Sequence, residues 1–161
     1  MAIKAGDTLP ADVKLMEMGD AGPKQVTVGE LTKGRTVVLF AVPGAFTPTC
    51  SMKHLPGVVD KAGDIRNKGV DEIVCLSVND AFVMRAWGED QAVGEDIVML
   101  ADGNGDFTKA VGLEMDGSRF GMGTRSQRYS MVVKDGVVKE LNVEQGGEFK
   151  VSAADYMLAQ L

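Results

Sequence analysis

Residues 36–51, TVVLFAVPGAFTPTCS, join a continuous apolar run to a turn that contains two prolines, a glycine and a cysteine. The apolar run, Thr36 to Val42, predicts a β-strand that is covered on both faces. Pro43 and Gly44 end this strand, because proline lacks a ladder donor and glycine bends freely. The turn that follows either carries Cys50 as an incidental small apolar residue or exists to present its thiol.

Strand-like and helix-like segments alternate along the rest of the chain. Apolar residues from Ser51 to Lys68 have helical spacing, with Pro56 expected to disturb the helix and Gly69 to end it. Asn79 or Asp80 can cap a second helix. EIVCLSV and IVMLAD are predicted to be strands, and a short helix is predicted from Phe107 to Val111. Asp135-Gly136 predicts a hairpin between YSMVV and VVKELNV. SAADYMLAQL predicts a closing helix with Ser152 as its cap.

This order of elements predicts an α/β fold with a mixed central β-sheet flanked by helices. A chain of 161 residues fits a single domain, residues 1–161, with one core. In open α/β sheets, sites lie just beyond the carboxyl ends of strands. The PGAFTPTC turn occupies that position after the strand at 36–42.

Composition excludes several classes of function. The net charge of −6 argues against a protein that binds nucleic acid through the phosphate backbone. No apolar run approaches the roughly 20 residues that span a bilayer, so no membrane association is expected. The start, MAIKAGDTLP, has neither the apolar segment nor the positive charge of a signal peptide. A cytoplasmic location is therefore the default expectation, unless a targeting segment has been removed.

The position of Cys50 favours reactivity. Two cysteines and one histidine are too few for a disulfide scaffold or a zinc site of Cys and His alone, so no bound metal or cofactor is expected. Thr47 or Thr49 can cap the following helix, and Pro48 suits its first turn. Cys50 then lies in the first turn, where unpaired N–H groups and the helix dipole favour a thiolate.

The neighbours of Cys50 narrow its chemistry. Thr47 and Lys53 stand where the second cysteine of a CxxC pair would be, so a dithiol oxidoreductase is not expected. His54 lies on the same helix face, but no triad emerges and a cysteine hydrolase fits poorly. A reactive thiol without a partner suits reaction with an oxidant, whose first product is a sulfenic acid.

PGAFTPTCS resembles the active-site motif of peroxiredoxins, PxxxT/SxxC, here as Pro43, Thr47 and Cys50. The longer stretches FAVPGAFTPTCSMKHLPG, VCLSVNDAFVMRAW, LADGNGDFTKAVGLEMD and TRSQRYSMVVKDGVVK resemble the peroxiredoxin 5 subfamily, including plant and bacterial type II enzymes. The resemblance covers nearly the whole chain. It implies a thioredoxin-like fold and a thiol peroxidase that reduces hydrogen peroxide and organic hydroperoxides in antioxidant defence.

The same resemblance implies a role for each site residue. Cys50 is the implied peroxidatic cysteine, Thr47 hydrogen-bonds the peroxide and Pro43 shields the thiolate from water. Arg128, in SQRYSMVV, matches the active-site arginine that holds thiolate and peroxide through its fork of donors. Arg125 is the competing arginine, and spacing does not choose between the two, although the RYSMVV match favours Arg128.

One departure from the family pattern concerns recycling. Some animal members carry a resolving cysteine near the C-terminus, whereas EQGGEFKVSAAD has none. The resemblance to plant and bacterial members therefore implies glutathione and glutaredoxin as external reductants, with thioredoxin as the second candidate. It also implies a homodimer.

Other residues have simpler interpretations. Cys75 in EIVCLSV is predicted to be a buried apolar residue, with a resolving thiol as the alternative. His54 is predicted to be a solvated or interface residue of the helix, and Phe82 and Trp87 to pack in the core or an interface. Phe46 is a candidate wall of the site or a dimer contact.

Two further functions compete with a peroxidase. In one, oxidised Cys50 passes its state to a partner protein, as in a redox sensor or relay. In the other, the chain is a non-catalytic thioredoxin-like interaction module. Sustained turnover of peroxide with a reductant distinguishes the enzyme from the relay. A Cys50 thiol that reacts with peroxide as slowly as an ordinary thiol would indicate the interaction module.

Overall fold

The computed structural model describes residues 1–161, and its elements follow the predicted alternation. The helices are α1 (Val28–Thr32), α2 (Leu55–Asn67), α3 (Ala81–Asp90), α4 (Asp106–Ala110) and α5 (Ala154–Ala159). The strands are β1 (Lys14–Gly19), β2 (Gly22–Thr27), β3 (Thr36–Val42), β4 (Glu72–Ser77), β5 (Val98–Ala101), β6 (Glu114–Asp116), β7 (Thr124–Ser126), β8 (Tyr129–Lys134) and β9 (Val137–Val143).

Seven strands form one mixed sheet in the order β2-β1-β5-β4-β3-β8-β9. Strands β3, β4 and β5 are parallel, and the remaining pairings in this sheet are antiparallel. A separate small hairpin joins β6 to β7. The prediction of an α/β fold with a mixed central sheet and flanking helices is confirmed.

Strand β3 lies near the middle of the sheet because it is apolar on both faces. Val37 to Val42 are all buried, and the strand pairs with β4 on one side and β8 on the other. Its side chains alternate between two cores. Val38 and Phe40 join the core beneath α2, α3 and α5, whereas Val37 and Leu39 join the core beneath α1 and α4. Each fully buried side chain of this size contributes roughly 1.5–3 kcal/mol.

Of the caps and turns predicted at Asp80, Asp135-Gly136 and Ser152, the first two are found in the structure. Asp80 caps α3 by accepting the N–H of Val83 at 2.8 Å, as predicted. Asp135 and Gly136 both have positive φ, 48° and 79°, which is the geometry of the two-residue hairpin predicted between β8 and β9. The predicted cap at Ser152 is wrong: α5 begins after Ala153 without a side-chain cap.

The helix after the PGAFTPTC turn is interrupted near its start. Helical backbone begins at Pro48, as predicted. Residues Cys50–His54 then form one wide π-helical turn, closed by a hydrogen bond from the N–H of Leu55 to the carbonyl of Cys50. Pro56 lacks an N–H and cannot donate to the carbonyl four residues earlier, so the regular ladder resumes only within α2. Such π turns are common at functional sites.

Candidate active site

The sulfur of Cys50 lies between two hydrogen-bond donors. The hydroxyl of Thr47 is 2.8 Å from Sγ, and Nη2 of Arg128 donates to Sγ at 3.0 Å. Cys50 itself is fully buried. A hydroxyl and a permanent cation therefore both lie within hydrogen-bond distance of the sulfur, and such contacts are strongest when the acceptor is ionised.

Two distant parts of the chain form this arrangement. Thr47 and Cys50 lie on the turn and helix start after β3, and Arg128 lies immediately before β8. Because β8 pairs directly with β3, with Ala41 opposite Tyr129, the end of β3 and the start of β8 are adjacent. The antiparallel register therefore brings Arg128 next to the turn that carries the thiol.

The Thr47 hydroxyl contacts the backbone of the turn as well as the sulfur. Its hydroxyl is also 2.7 Å from the carbonyl of Gly44, so its single proton is shared between that oxygen and the sulfur. The prediction that Thr47 or Thr49 caps the helix is wrong. Neither makes a capping hydrogen bond: Thr49 already has helical dihedral angles, and the Thr47 hydroxyl points to the sulfur and Gly44 instead.

Arg125 holds the backbone of the turn. It donates from Nε to the carbonyl of Met122 at 2.9 Å and from Nη1 to the carbonyl of Pro43 at 3.3 Å. A β-carbon at Gly44 would lie 2.9 Å from this Nη1, so a larger residue there would displace the guanidinium. Of the two candidate arginines, Arg128 is therefore the one in contact with the sulfur. Pro43 lies next to the site, and its carbonyl accepts the hydrogen bond from Arg125.

The environment of His54 differs most from its predicted one. This histidine was predicted to be a solvated or interface residue, but it is fully buried. Its Nδ1 lies 2.8 Å from Nη1 of Arg128 and its Nε2 lies 3.0 Å from the carbonyl of Ser152. Burial, reinforced by the charge of Arg128, lowers the pKa of His54 to about 3. The Cys-x-x-x-His spacing placed His54 near the sulfur, but no sequence signal showed which other groups would enclose it.

The segment between β9 and α5 covers Arg128 and His54. The ring of Phe149 lies over the Arg128 guanidinium at 5.9 Å and over the His54 ring at 4.9 Å. One oxygen of Glu144 accepts hydrogen bonds from the N–H of Lys150 and from both the N–H and hydroxyl of Ser152. Burial alone would raise the pKa of Glu144, but these hydrogen bonds outweigh it and the pKa is lowered.

Cys75, Trp87 and Phe82 make no hydrogen bond to the Cys50 sulfur. Cys75 is buried in the middle of β4, opposite Phe40 of β3, and burial raises the pKa of its thiol well above the ordinary value. Trp87 is fully buried and donates to the hydroxyl of Ser51 at 2.9 Å. Phe82 is 66% exposed, so it does not pack in the core, and its place in an interface stays a prediction.

Phe46 lies at the exposed tip of the turn. It is 52% exposed, its ring is 6.4 Å from that of Trp87, and its φ of 65° is unusual for a residue with a side chain. Strained backbone positions cluster at functional sites, so Phe46 remains a candidate wall of the site or dimer contact.

One cavity lies away from the thiol. Its volume is about 590 Å³, and it lies between β1, α3 and β5, lined by residues that include Met18, Gly88 and Met99. None of the residues around the sulfur lines it. No group of three or more His, Cys, Asp or Glu side chains is arranged to hold a metal ion. None of the helices has the length and apolar character needed to cross a membrane.

Comparison with known proteins gives the class and then the family. The Redoxin family model matches residues 4–158, so the class that this fold and thiol site define is the redoxins. The chain belongs to the type II peroxiredoxins within that class, and it is therefore a thiol peroxidase.

The relatives behind this assignment are similar over almost the whole chain. Chloroplastic peroxiredoxin-2E-2 of Oryza sativa subsp. japonica is 56% identical over 163 residues, which cover 99% of this chain and 72% of the rice protein. Peroxiredoxin-2B of Arabidopsis thaliana is 46% identical over 160 residues, 99% and 98% of the two chains. Reduced Prx3 from Vibrio vulnificus, crystallised in complex with H2O2, has a TM-score of 0.94 at 54% identity and covers 98% of both chains.

Proposed function

We propose that Cys50 is the peroxidatic cysteine and that the protein reduces hydrogen peroxide and organic hydroperoxides to water and alcohols. The observation that carries this proposal is the sulfur held between the Thr47 hydroxyl at 2.8 Å and Nη2 of Arg128 at 3.0 Å. The Vibrio vulnificus relative, whose structure contains H2O2, supports the choice of substrate.

The chemical step is a displacement on oxygen. The Cys50 thiolate attacks the terminal peroxide oxygen, an S–O bond forms and the O–O bond breaks. Both electrons of the broken bond leave with the second oxygen, which takes a proton and departs as water or alcohol. Cys50 becomes a sulfenic acid. Negative charge moves from sulfur to the leaving oxygen, and the fixed donors of Arg128 and Thr47 are placed to follow it.

Pro43 lies at the start of the turn that carries Cys50, whose side chain has no exposed surface. In this proposal Pro43 shields the thiolate from bulk water. Exclusion of water strengthens each electrostatic contact on the sulfur.

The sulfenic acid is reduced by an external thiol in this proposal. Cys75, the only other cysteine, is fixed in a central strand between two neighbouring strands, and its thiol is fully buried. A first glutathione displaces water from the sulfenic acid to give a mixed disulfide. A second thiol, from glutathione or glutaredoxin, then releases Cys50 and carries away the disulfide. Thioredoxin is the second candidate reductant. No bound cofactor takes part in this cycle.

Assembly and location complete the proposal. Three exposed phenylalanines, Phe46, Phe82 and Phe120, leave apolar surface uncovered, and we propose that a homodimer covers part of it. Sedimentation at micromolar concentration tests this, and a monomer contradicts it. The two free cysteines fit a reducing compartment, and we propose the cytoplasm. Fractionation of the source cells tests that assignment, and recovery from an organelle overturns it.

A coupled assay tests the enzymatic proposal. Hydroperoxide is added with glutathione, glutathione reductase and glutaredoxin, and NADPH oxidation is followed; a parallel reaction contains thioredoxin and its reductase. The wild type is expected to sustain NADPH consumption with glutathione and glutaredoxin, and the Cys50→Ser variant is not. Turnover only with thioredoxin refutes the assigned reductant. One rapid oxidation without turnover by any reductant favours the sensor function.

A further inference from the structure

His54 connects the reactive site to the segment that covers it. On one side, Nδ1 lies 2.8 Å from Nη1 of Arg128, whose Nη2 donates to Cys50. On the other, Nε2 lies 3.0 Å from the carbonyl of Ser152. A continuous path of hydrogen bonds therefore runs from Ser152 through His54 and Arg128 to the sulfur.

The chemistry of these partners fixes the state of the imidazole. Arginine has donors but no acceptor, so Nδ1 must be unprotonated to accept from Arg128. A carbonyl has no donor, so Nε2 carries the proton and donates to Ser152. The rings of Phe40 and Phe149, each 4.9 Å from the imidazole, enclose it from two sides. His54 is thus held neutral and in one tautomer.

We propose that His54 is a positioning residue for the peroxidase reaction: its unprotonated Nδ1 holds Nη1 of Arg128 and so aims Nη2 at the Cys50 sulfur and the attacked peroxide. This inference rests on the proposed role of Cys50. Arginine is a long side chain with several free rotations, and an acceptor on its second nitrogen removes most of them. A protonated or missing imidazole leaves the guanidinium free to turn away from the sulfur.

Glu144 supports the histidine from a distance. Its carboxylate accepts the N–H and hydroxyl of Ser152 at 2.7 and 2.6 Å, which fixes the peptide whose carbonyl receives Nε2–H. Its backbone N–H also donates to the carbonyl of Arg128 at 3.0 Å. Glu144 and Arg128 are the charged groups that act on the imidazole, and they have opposite effects on its protonation.

Two substitutions of nearly equal shape separate positioning from packing. His54→Asn keeps an acceptor where Nδ1 stands, because Asn Oδ1 is the same number of bonds from the backbone. His54→Leu has the same branching without the acceptor. The rate constant for oxidation by hydrogen peroxide is measured for both by stopped flow. We expect His54→Asn to stay within roughly threefold of wild type and His54→Leu to lose roughly 10- to 100-fold, the range for a hydrogen bond to a charged group.

The outcomes are decisive in either direction. Equal rates for wild type, His54→Asn and His54→Leu overturn the inference, and so do equally slow Asn and Leu variants that remain folded by circular dichroism. A wild type that reacts no faster than free cysteine is a different result, which overturns the proposed role of Cys50 itself.

A spectroscopic measurement on the wild type does not depend on whether the variants fold. His54 is the chain's single histidine, so its two ring nitrogens give one pair of ¹⁵N signals. At neutral pH we expect Nε2 to be protonated and Nδ1 unprotonated, with the Nδ1 signal shifting in Arg128→Met. A proton on Nδ1, or an Nδ1 signal that ignores Arg128→Met, contradicts the proposal.

Discussion

Acidification is expected to destabilise this protein through its single histidine. The pKa of His54 is about 3 in the folded state, against an ordinary value of 6.5 when the chain is unfolded. Since the unfolded state binds the proton more readily, stability is fully present above pH 6.5 and is lost as the pH falls toward 3. The loss is about 1.4 kcal/mol per pH unit within that window, or about 2 kcal/mol between neutral pH and about pH 5.

Urea unfolding at about pH 7 and about pH 5 measures this loss, with the His54→Asn variant as control. Asparagine does not titrate, so the pH dependence of that variant contains only the other groups. Subtracting the two dependences isolates His54. A wild type that is equally stable at both pH values refutes the reasoning, as does a control that loses as much stability as the wild type.

Three further substitutions test the roles of individual side chains. Thr47→Val removes the hydroxyl from the Cys50 sulfur and is expected to slow peroxide reduction by roughly 10- to 100-fold in a stopped-flow assay; Thr47→Ser keeps the hydroxyl, and an equal loss in both variants contradicts this reason. Cys75→Ser is expected to keep glutathione-supported NADPH turnover, because that thiol is buried in β4; near-total loss would make Cys75 the resolving thiol. Arg125→Ala releases two main-chain carbonyls and is expected to cost about 1 kcal/mol of stability in urea unfolding, with less effect on the peroxide rate than Arg128→Ala; the reverse order would assign the reaction to Arg125.

Local patterns predicted the elements that carry the thiol. The apolar run at 36–42 indicated a strand covered on both faces. Asn79 or Asp80 indicated a helix cap, and the Asp135-Gly136 pair indicated a hairpin. The N-terminal hairpin of β1 and β2 and the small hairpin of β6 and β7 were not predicted. Both are short and partly exposed, so they lack the continuous apolar pattern that marked the central strands.

The surroundings of the sulfur required the tertiary structure. The turn motif identified Cys50 and Thr47 because they are close in the chain. Arg128 came from the family resemblance, and its contact with the sulfur depends on the β3–β8 register. The burial of His54 depends on Phe149 and Ser152, which are about a hundred residues away in sequence. No periodicity around residue 54 could show that a distant segment would cover it.

The rate at which Cys50 reacts with hydrogen peroxide tests the central claim most directly. Trp87 is the chain's single tryptophan and donates to Ser51, the residue next to Cys50, so its fluorescence should report oxidation of the sulfur. In stopped flow at neutral pH, we predict a fluorescence change whose rate rises linearly with peroxide and exceeds that of free cysteine by orders of magnitude. The change should be absent in Cys50→Ser. A wild-type sulfur that is oxidised no faster than free cysteine would contradict the account.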